Sequence, residues 1–123
     1  MTQFPDPPIS QSPNYPITRF FALFYLVVDR FVERRTPYRE EHLRLVRDLH
    51  ALGEIVMAGA LTEPDGGLLV FRNQGMAERF AEDDPYVLNG LVVRWFVRPW
   101  NVVVGPEPAP SGGVPVLGAS SRT

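Results

Sequence analysis

Gly53-Glu-Ile-Val-Met-Ala-Gly-Ala-Leu-Thr-Glu-Pro-Asp-Gly-Gly-Leu-Leu-Val-Phe-Arg-Asn73 is the stretch that decides the fold. Gly53 offers a left-handed stop for a preceding helix. An apolar strand follows over 55–61, and then the turn Glu63-Pro-Asp-Gly-Gly67, whose glycines are free to take positive φ. A second strand covers 67–72, and Asn73 can cap a helix over about 74–82. Helix stop, hairpin and helix start in one run predict two strands set between two helices.

Upstream, Thr36 is placed to cap the first helix, with Pro37 in its first turn, where a missing N–H costs nothing. Arg39 stands where a capping box needs glutamate, while Glu40 and Glu41 suit the positive end of the helix dipole. The helix runs to about Leu52, and Leu45, Val46, Leu49 and Leu52 form its apolar stripe. Before it, Phe20 to Val28 is strongly apolar but too short to span a bilayer. Arg19 is the only positive side chain ahead of that run and Asp29-Arg30-Phe31 ends it, so a buried strand over 20–29 is expected rather than a secretory signal. Downstream, Pro85 forbids helical geometry at Asp84 and ends the second helix. A short turn leads to Gly90 and a long strand over 91–103.

The order βαββαβ predicts an α+β, ferredoxin-like plait: a four-stranded antiparallel sheet with two helices on one face. The first strand is apolar on both sides, with Phe20, Phe24 and Leu26 one way and Phe21, Leu23, Tyr25 and Val27 the other. A sheet wetted on one side would alternate. A second copy is therefore expected over the open face, giving a homodimer of the dimeric α/β barrel type.

Nine of the thirteen prolines fall in 1–18 and 105–123, which read as Pro-rich and Pro/Gly-rich tails around one domain at 19–104. Apolar residues make up 45% of the chain, enough for a core, and the net charge of −2 gives no general pull toward nucleic acid or acidic membrane. The absence of cysteine excludes disulfides and thiolate metal sites and fits a reducing, cytoplasmic location. All twelve basic residues are arginine, so Schiff-base chemistry has no lysine to use.

Few residues are left to carry chemistry. His42 lies three and four positions before Leu45 and Val46, which continues the helix stripe and points it at the sheet. It reads either as a core-edge histidine on a backbone carbonyl or as a general base. His50, near the end of the same helix, reads as a favourable charge at the negative dipole end. Asp84 reads either as the cap of the turn at Pro85-Tyr86-Val87 or as the carboxylate that orients His42. Arg94, Phe96 and Arg98 share one face of the last strand, opposite Val93, Trp95 and Val97. They line either a pocket for a planar anion or an exposed edge with snorkelling arginines. Tyr25, Tyr38 and Tyr86 either line a pocket or pack. There is no glycine-rich phosphate loop and no serine elbow, two histidines eight residues apart do not match a zinc site, and no aromatic and basic stripe suggests RNA. No cofactor or metal is expected, and the expected partners are a second copy and a small molecule.

The run Arg39-Glu-Glu-His42-Leu43, then Gly53-Glu-Ile-Val-Met-Ala-Gly59, then Asp84-Pro85-Tyr86, then Arg98-Pro99-Trp100 resembles the YciI-like, or YCII-related, domain family over about 20–104. The resemblance implies a dimeric ferredoxin-like fold with a His–Asp site and puts the pair on His42 and Asp84. It also implies kinship with a dehydrochlorinase of chlorinated hydroxyquinol and a fold similar to muconolactone isomerases. A frequent Ala-Gly-Pro of the family reads Ala58-Gly59-Ala60 here. The expected function is a cofactor-free lyase or isomerase acting on a cyclic conjugated carbonyl or quinol-like compound. His42 moves the proton, Asp84 orients it, and Arg39 or Arg94 holds the oxyanion, with Tyr25, Tyr86 and Phe96 around the ring. Two alternatives are a non-catalytic dimeric binding or accessory protein and a monooxygenase-type relative on the same plait.

Overall fold

The computed structural model describes residues 18–62 and 65–106. The elements in order are β1 (Thr18–Val27), α1 (Phe31–Arg34), a 3-10 turn (Thr36–Tyr38), α2 (Arg39–Ala51), β2 (Ile55–Ala60), β3 (Gly66–Phe71), α3 (Gln74–Asp83), α4 (Pro85–Leu88) and β4 (Val92–Val102). The strands form one antiparallel sheet in the order β2-β3-β1-β4, which is the ferredoxin-like plait. Arg19–Asn101 makes one compact unit. The expected Pro-rich tails lie almost wholly outside the described residues, as do Glu63 and Pro64 of the hairpin turn.

Local chemistry explains most boundaries. Gly53 takes φ 86, and its N–H donates to the His50 carbonyl at 3.0 Å while the Glu54 N–H donates to the Leu49 carbonyl at 2.9 Å. That pair of hydrogen bonds closes α2. Asn73 accepts the Met76 N–H at 2.9 Å and starts α3. β1 stops at Val27 because Arg30 turns into the left-handed region, φ 60, and α1 follows at once.

Two expectations about the first long helix change. Thr36 does not cap it: α1 leaves Arg35 already helical, φ −78 and ψ −15, so the chain passes through a 3-10 turn rather than the extended geometry a cap requires. Leu52 does not belong to the buried stripe. It sits at the C-cap, where Gly53 turns the chain away, and is 74% exposed.

The core lies between the sheet and both longer helices. Leu23 and Tyr25 of β1, Ile55 of β2, and Leu69 and Phe71 of β3 pack against Ala77, Phe80 and Ala81 of α3. Leu45, Val46 and Leu49 of α2 close over the same cluster, so both helices cover one face. A smaller cluster of Phe31, Tyr86 and Leu91 joins α1 to α4, with the Phe31 and Tyr86 rings edge to face at 5.3 Å. On the opposite face Phe24 stacks on Phe96 at 5.2 Å, while Leu26 and Trp100 remain exposed.

Candidate functional site

Asp84 is the centre of the site. The backbone at Asp84 is extended, φ −68 and ψ 126, because Pro85 forbids the helical alternative, and this ends α3 and starts α4. Its Oδ1 accepts the Tyr86 N–H at 3.0 Å, an N-cap bond. Its Oδ2 accepts the Tyr25 hydroxyl at 2.7 Å from β1. His42 Nδ1 lies 2.9 Å from Oδ1 and 3.0 Å from Oδ2. The carboxyl group is fully buried, 0% exposed. A buried carboxylate is tolerated only where donors replace water, and three donors from three elements do so here.

That arrangement assigns the histidine tautomer. Asp84 accepts from every partner, so Nδ1–H donates to it and Nε2 carries the free lone pair. The imidazole stacks on the Tyr86 ring at 3.9 Å, 9° from parallel, and meets the edge of Phe80 at 6.1 Å. Only 13% of the side chain is exposed. The ring is held by packing on two sides and by a charge-assisted bond at one nitrogen, leaving the other nitrogen as its chemical handle.

Two phenols sense the buried charge. Burial pushes the Tyr25 hydroxyl far above the ordinary tyrosine value, with the Asp84 charge and the hydrogen bond to it adding in the same direction. Burial also raises Tyr86, opposed by the charges of Arg35 and Arg39 and reinforced by Asp84. Both phenols are therefore donors rather than bases at neutral pH.

His42 opens onto a cavity of about 290 Å³. This is the low end of the roughly 300–1,000 Å³ usual for small-molecule sites, the size for a one-ring compound. Ala58, Ala60 and Gly67 line one side, and Val27, Phe31, Val46 and Leu69 supply apolar wall. Gly67 lies opposite Tyr25 in the register and therefore on the same face. A Cβ added there would meet only ordinary contacts at 3.7 Å, so packing does not demand glycine and its bareness leaves room above the sheet. Arg35 and Arg39 also line the cavity. Among the described residues no group of three His, Cys, Asp or Glu side chains is placed to hold a metal ion. No helix among them is long and apolar enough to cross a membrane.

The residues singled out from sequence divide. Tyr25, Arg39, His42 and Tyr86 line the cavity, with Asp84 buried behind His42. Arg94 and Phe96 do not line it. Phe96 stacks on Phe24, across the sheet from Tyr25, and the Arg94 guanidinium lies over the Phe96 ring at 5.2 Å. The sheet separates them from His42, so they cannot share one ligand with it. His50 Nδ1 donates to the Ile55 carbonyl at 2.8 Å and ties the end of α2 to β2. Sequence reasoning missed Arg35, whose only signal was the pair Arg34-Arg35 ahead of Thr36-Pro37. It also missed Tyr25 as a partner of Asp84.

A family model for the YCII-related domain matches residues 20–101. One solved structure similar to this chain is 5-chloro-2-hydroxyhydroquinone dehydrochlorinase (TftG) from Burkholderia phenoliruptrix AC1100, in complex with 2,5-dihydroxybenzoquinone. The TM-score is 0.56 at 20% identity, covering 66% of this chain and 92% of that one. At that identity the likeness speaks for the fold. No curated protein matches the chain.

Proposed function

The chain belongs to the YCII-related domain family, and on that footing we propose that it is a small lyase or isomerase working by general acid–base chemistry without a cofactor. Its substrate in this reading is a cyclic conjugated carbonyl or quinol-like compound. The observation that carries the reading is His42: Nδ1 is bound by a fully buried carboxylate, and the ring opens onto a one-ring cavity. Nε2 takes a proton from a ring carbon or hydroxyl, and the electron pair moves into the conjugated system toward oxygen. In an elimination the leaving group departs with its electrons. In an isomerisation the imidazolium returns the proton to a second carbon. Asp84 orients the ring and stabilises the imidazolium, and Arg39, one turn before His42 on the same helix, faces the developing oxyanion. The similar dehydrochlorinase, whose printed substrate is a chlorinated hydroxyhydroquinone and whose bound ligand is a quinone, lends support to the substrate class.

The test is chloride release or ring absorbance with a panel of chlorinated hydroxyquinols, quinones and enol lactones. Positioned acid–base catalysis contributes roughly 10²–10⁴ in rate, so His42→Ala should lose that much in kcat. An unchanged kcat refutes the assignment. Binding of these rings with no turnover by the natural protein leaves only a binding or accessory role.

The second copy enters the same proposal. The face away from the helices carries Phe24, Leu26, Leu68, Phe96 and Trp100, an apolar surface for which a homodimer, burying roughly 800 Å² per partner, is the economical cover.

A further inference from the structure

We propose that the ligand of this cavity carries a permanent acid group, a carboxylate on its ring, and that Arg35 and Arg39 together read it. The inference rests on the reading of the cavity as a one-ring site and adds the charge of what enters it.

Both arginines line the cavity, Arg35 between α1 and the 3-10 turn and Arg39 just after that turn at the start of α2. Neither forms an ion pair among the described residues. Of the arginines nearby, Arg30 bonds Glu33 at 2.6 Å, and Arg44 bonds Glu41 at 2.8 Å and Asp48 at 3.4 Å, while Arg34 and Arg47 form no ion pair among the described residues but do not line the cavity. Arg35 instead lies over the Phe31 ring, 5.3 Å from its centroid, which holds it beside the apolar wall. Among the described residues the one acidic side chain at the site, Asp84, is fully buried and already accepts from Tyr25, Tyr86 and His42. It cannot also receive a guanidinium from the cavity side.

The count of charges then matters. Proton transfer at His42 develops one negative charge on the substrate, and Arg39 alone is enough to face it. A second unmatched cation at the same cavity adds to its positive potential, which water screens only in part because Arg35 is half-buried although Arg39 is exposed, and a ground-state anion relieves it. Two forked guanidiniums suit a planar carboxylate better than a point charge would. Their fields do reach the chemistry, since both act on the Tyr86 ring against which His42 is stacked. An acid group seated at the arginines also fixes which edge of the ring meets Nε2, and so selects the atom that loses its proton.

The experiment is calorimetric titration of the full chain at pH 7 with two probes of one ring type, 2,5-dihydroxybenzoate and neutral 1,4-dihydroxybenzene. The acid should bind about tenfold tighter or better, with a preference that shrinks as salt is raised. Arg35→Gln and Arg39→Gln should each remove most of the preference, the affinity for the acid falling by a much larger factor than that for the neutral ring. Arg35→Lys, which keeps charge but not the fork, should restore it in part. Melting temperatures of the variants establish that they are folded. Equal affinity for both rings, a preference that survives the double Gln variant, or no binding of the acid at millimolar concentration overturns the proposal. These are binding measurements, so they stand or fall separately from the turnover of His42→Ala.

Discussion

Replacing Tyr25 by phenylalanine removes one oxygen from the least solvated part of the molecule. The ring is 3% exposed and stays in place, so the loss falls on the 2.7 Å bond to Asp84 Oδ2. A hydrogen bond to a charged group contributes about 1.5–3 kcal/mol. Oδ2 keeps His42 Nδ1 at 3.0 Å and is not orphaned, which argues for the lower part of that range, about 2 kcal/mol. A domain of this size loses about 4–8 °C of melting temperature per kcal/mol, so the variant should melt roughly 8–16 °C lower at pH 7.

The same substitution has a signature in alkali. The folded state holds the Tyr25 proton well above the ordinary value of 10.0, at which the unfolded chain releases it. Above that pH the unfolded state binds fewer protons, so stability is complete below it and falls as pH rises. Each such tyrosine steepens the fall by about 1.4 kcal/mol per pH unit. The chain has no lysine and no cysteine, so tyrosines are the only side chains left to titrate in this range. Tyr86, raised in the same direction, contributes with the same sign. Urea unfolding followed by circular dichroism between pH 8 and 11 should therefore show a shallower alkaline slope in Tyr25→Phe. A variant with the natural melting temperature and the natural slope would refute the account of the Asp84 network.

Two further expectations concern the scaffold. A Cβ on Gly66 would stand 2.8 Å from the Tyr25 carbonyl oxygen, whereas one on Gly67 meets nothing closer than 3.7 Å. Gly66→Ala should cost about 1–3 kcal/mol by forcing β3 from β1, and Gly67→Ala should melt close to the natural protein; equal melting of the two refutes the distinction. Size-exclusion chromatography with light scattering should give about twice the 13.9 kDa of one chain, and a stable monomer would remove the second copy from the open face.

The elements legible in sequence are those written in local chemistry. Gly53, Asn73 and Asp84-Pro85 each impose a backbone geometry on their own neighbours, and the chain bends at each of them. His42 was legible because helix periodicity assigns a face. Arg35 was not, because α1 is a single turn with no period to read, and only that turn brings Arg35 to the cavity. Arg94 and Phe96 mislead for a different reason. Strand parity correctly separates Arg94 and Phe96 from Val97 and Trp95, but it does not say on which side of the sheet a ligand lies. Helix α2 covers one face only, so a site containing His42 excludes side chains on the other. Tyr25 was placed on the right face, yet its partner lies 59 residues along the chain, beyond any local signal.

The local reading of Asp84 as a cap is true and still insufficient. A cap needs one oxygen and one backbone N–H, and it works at the surface, where water satisfies the rest of the carboxylate. Asp84 is 0% exposed, and its second oxygen is matched by a hydroxyl from the far strand and an imidazole from another helix. Desolvating a carboxylate costs several kcal/mol, while the cap bond contributes about 1 kcal/mol. The cap alone cannot offset that burial; the bonds to Tyr25 and His42 must. An alanine at 84 would therefore lose the turn and release the histidine together, whereas an asparagine would keep the turn and lose the negative charge. If the buried charge serves only the fold, Asp84→Asn should leave any turnover unchanged; if it serves the imidazolium, turnover should fall while the melting temperature changes less than for Asp84→Ala.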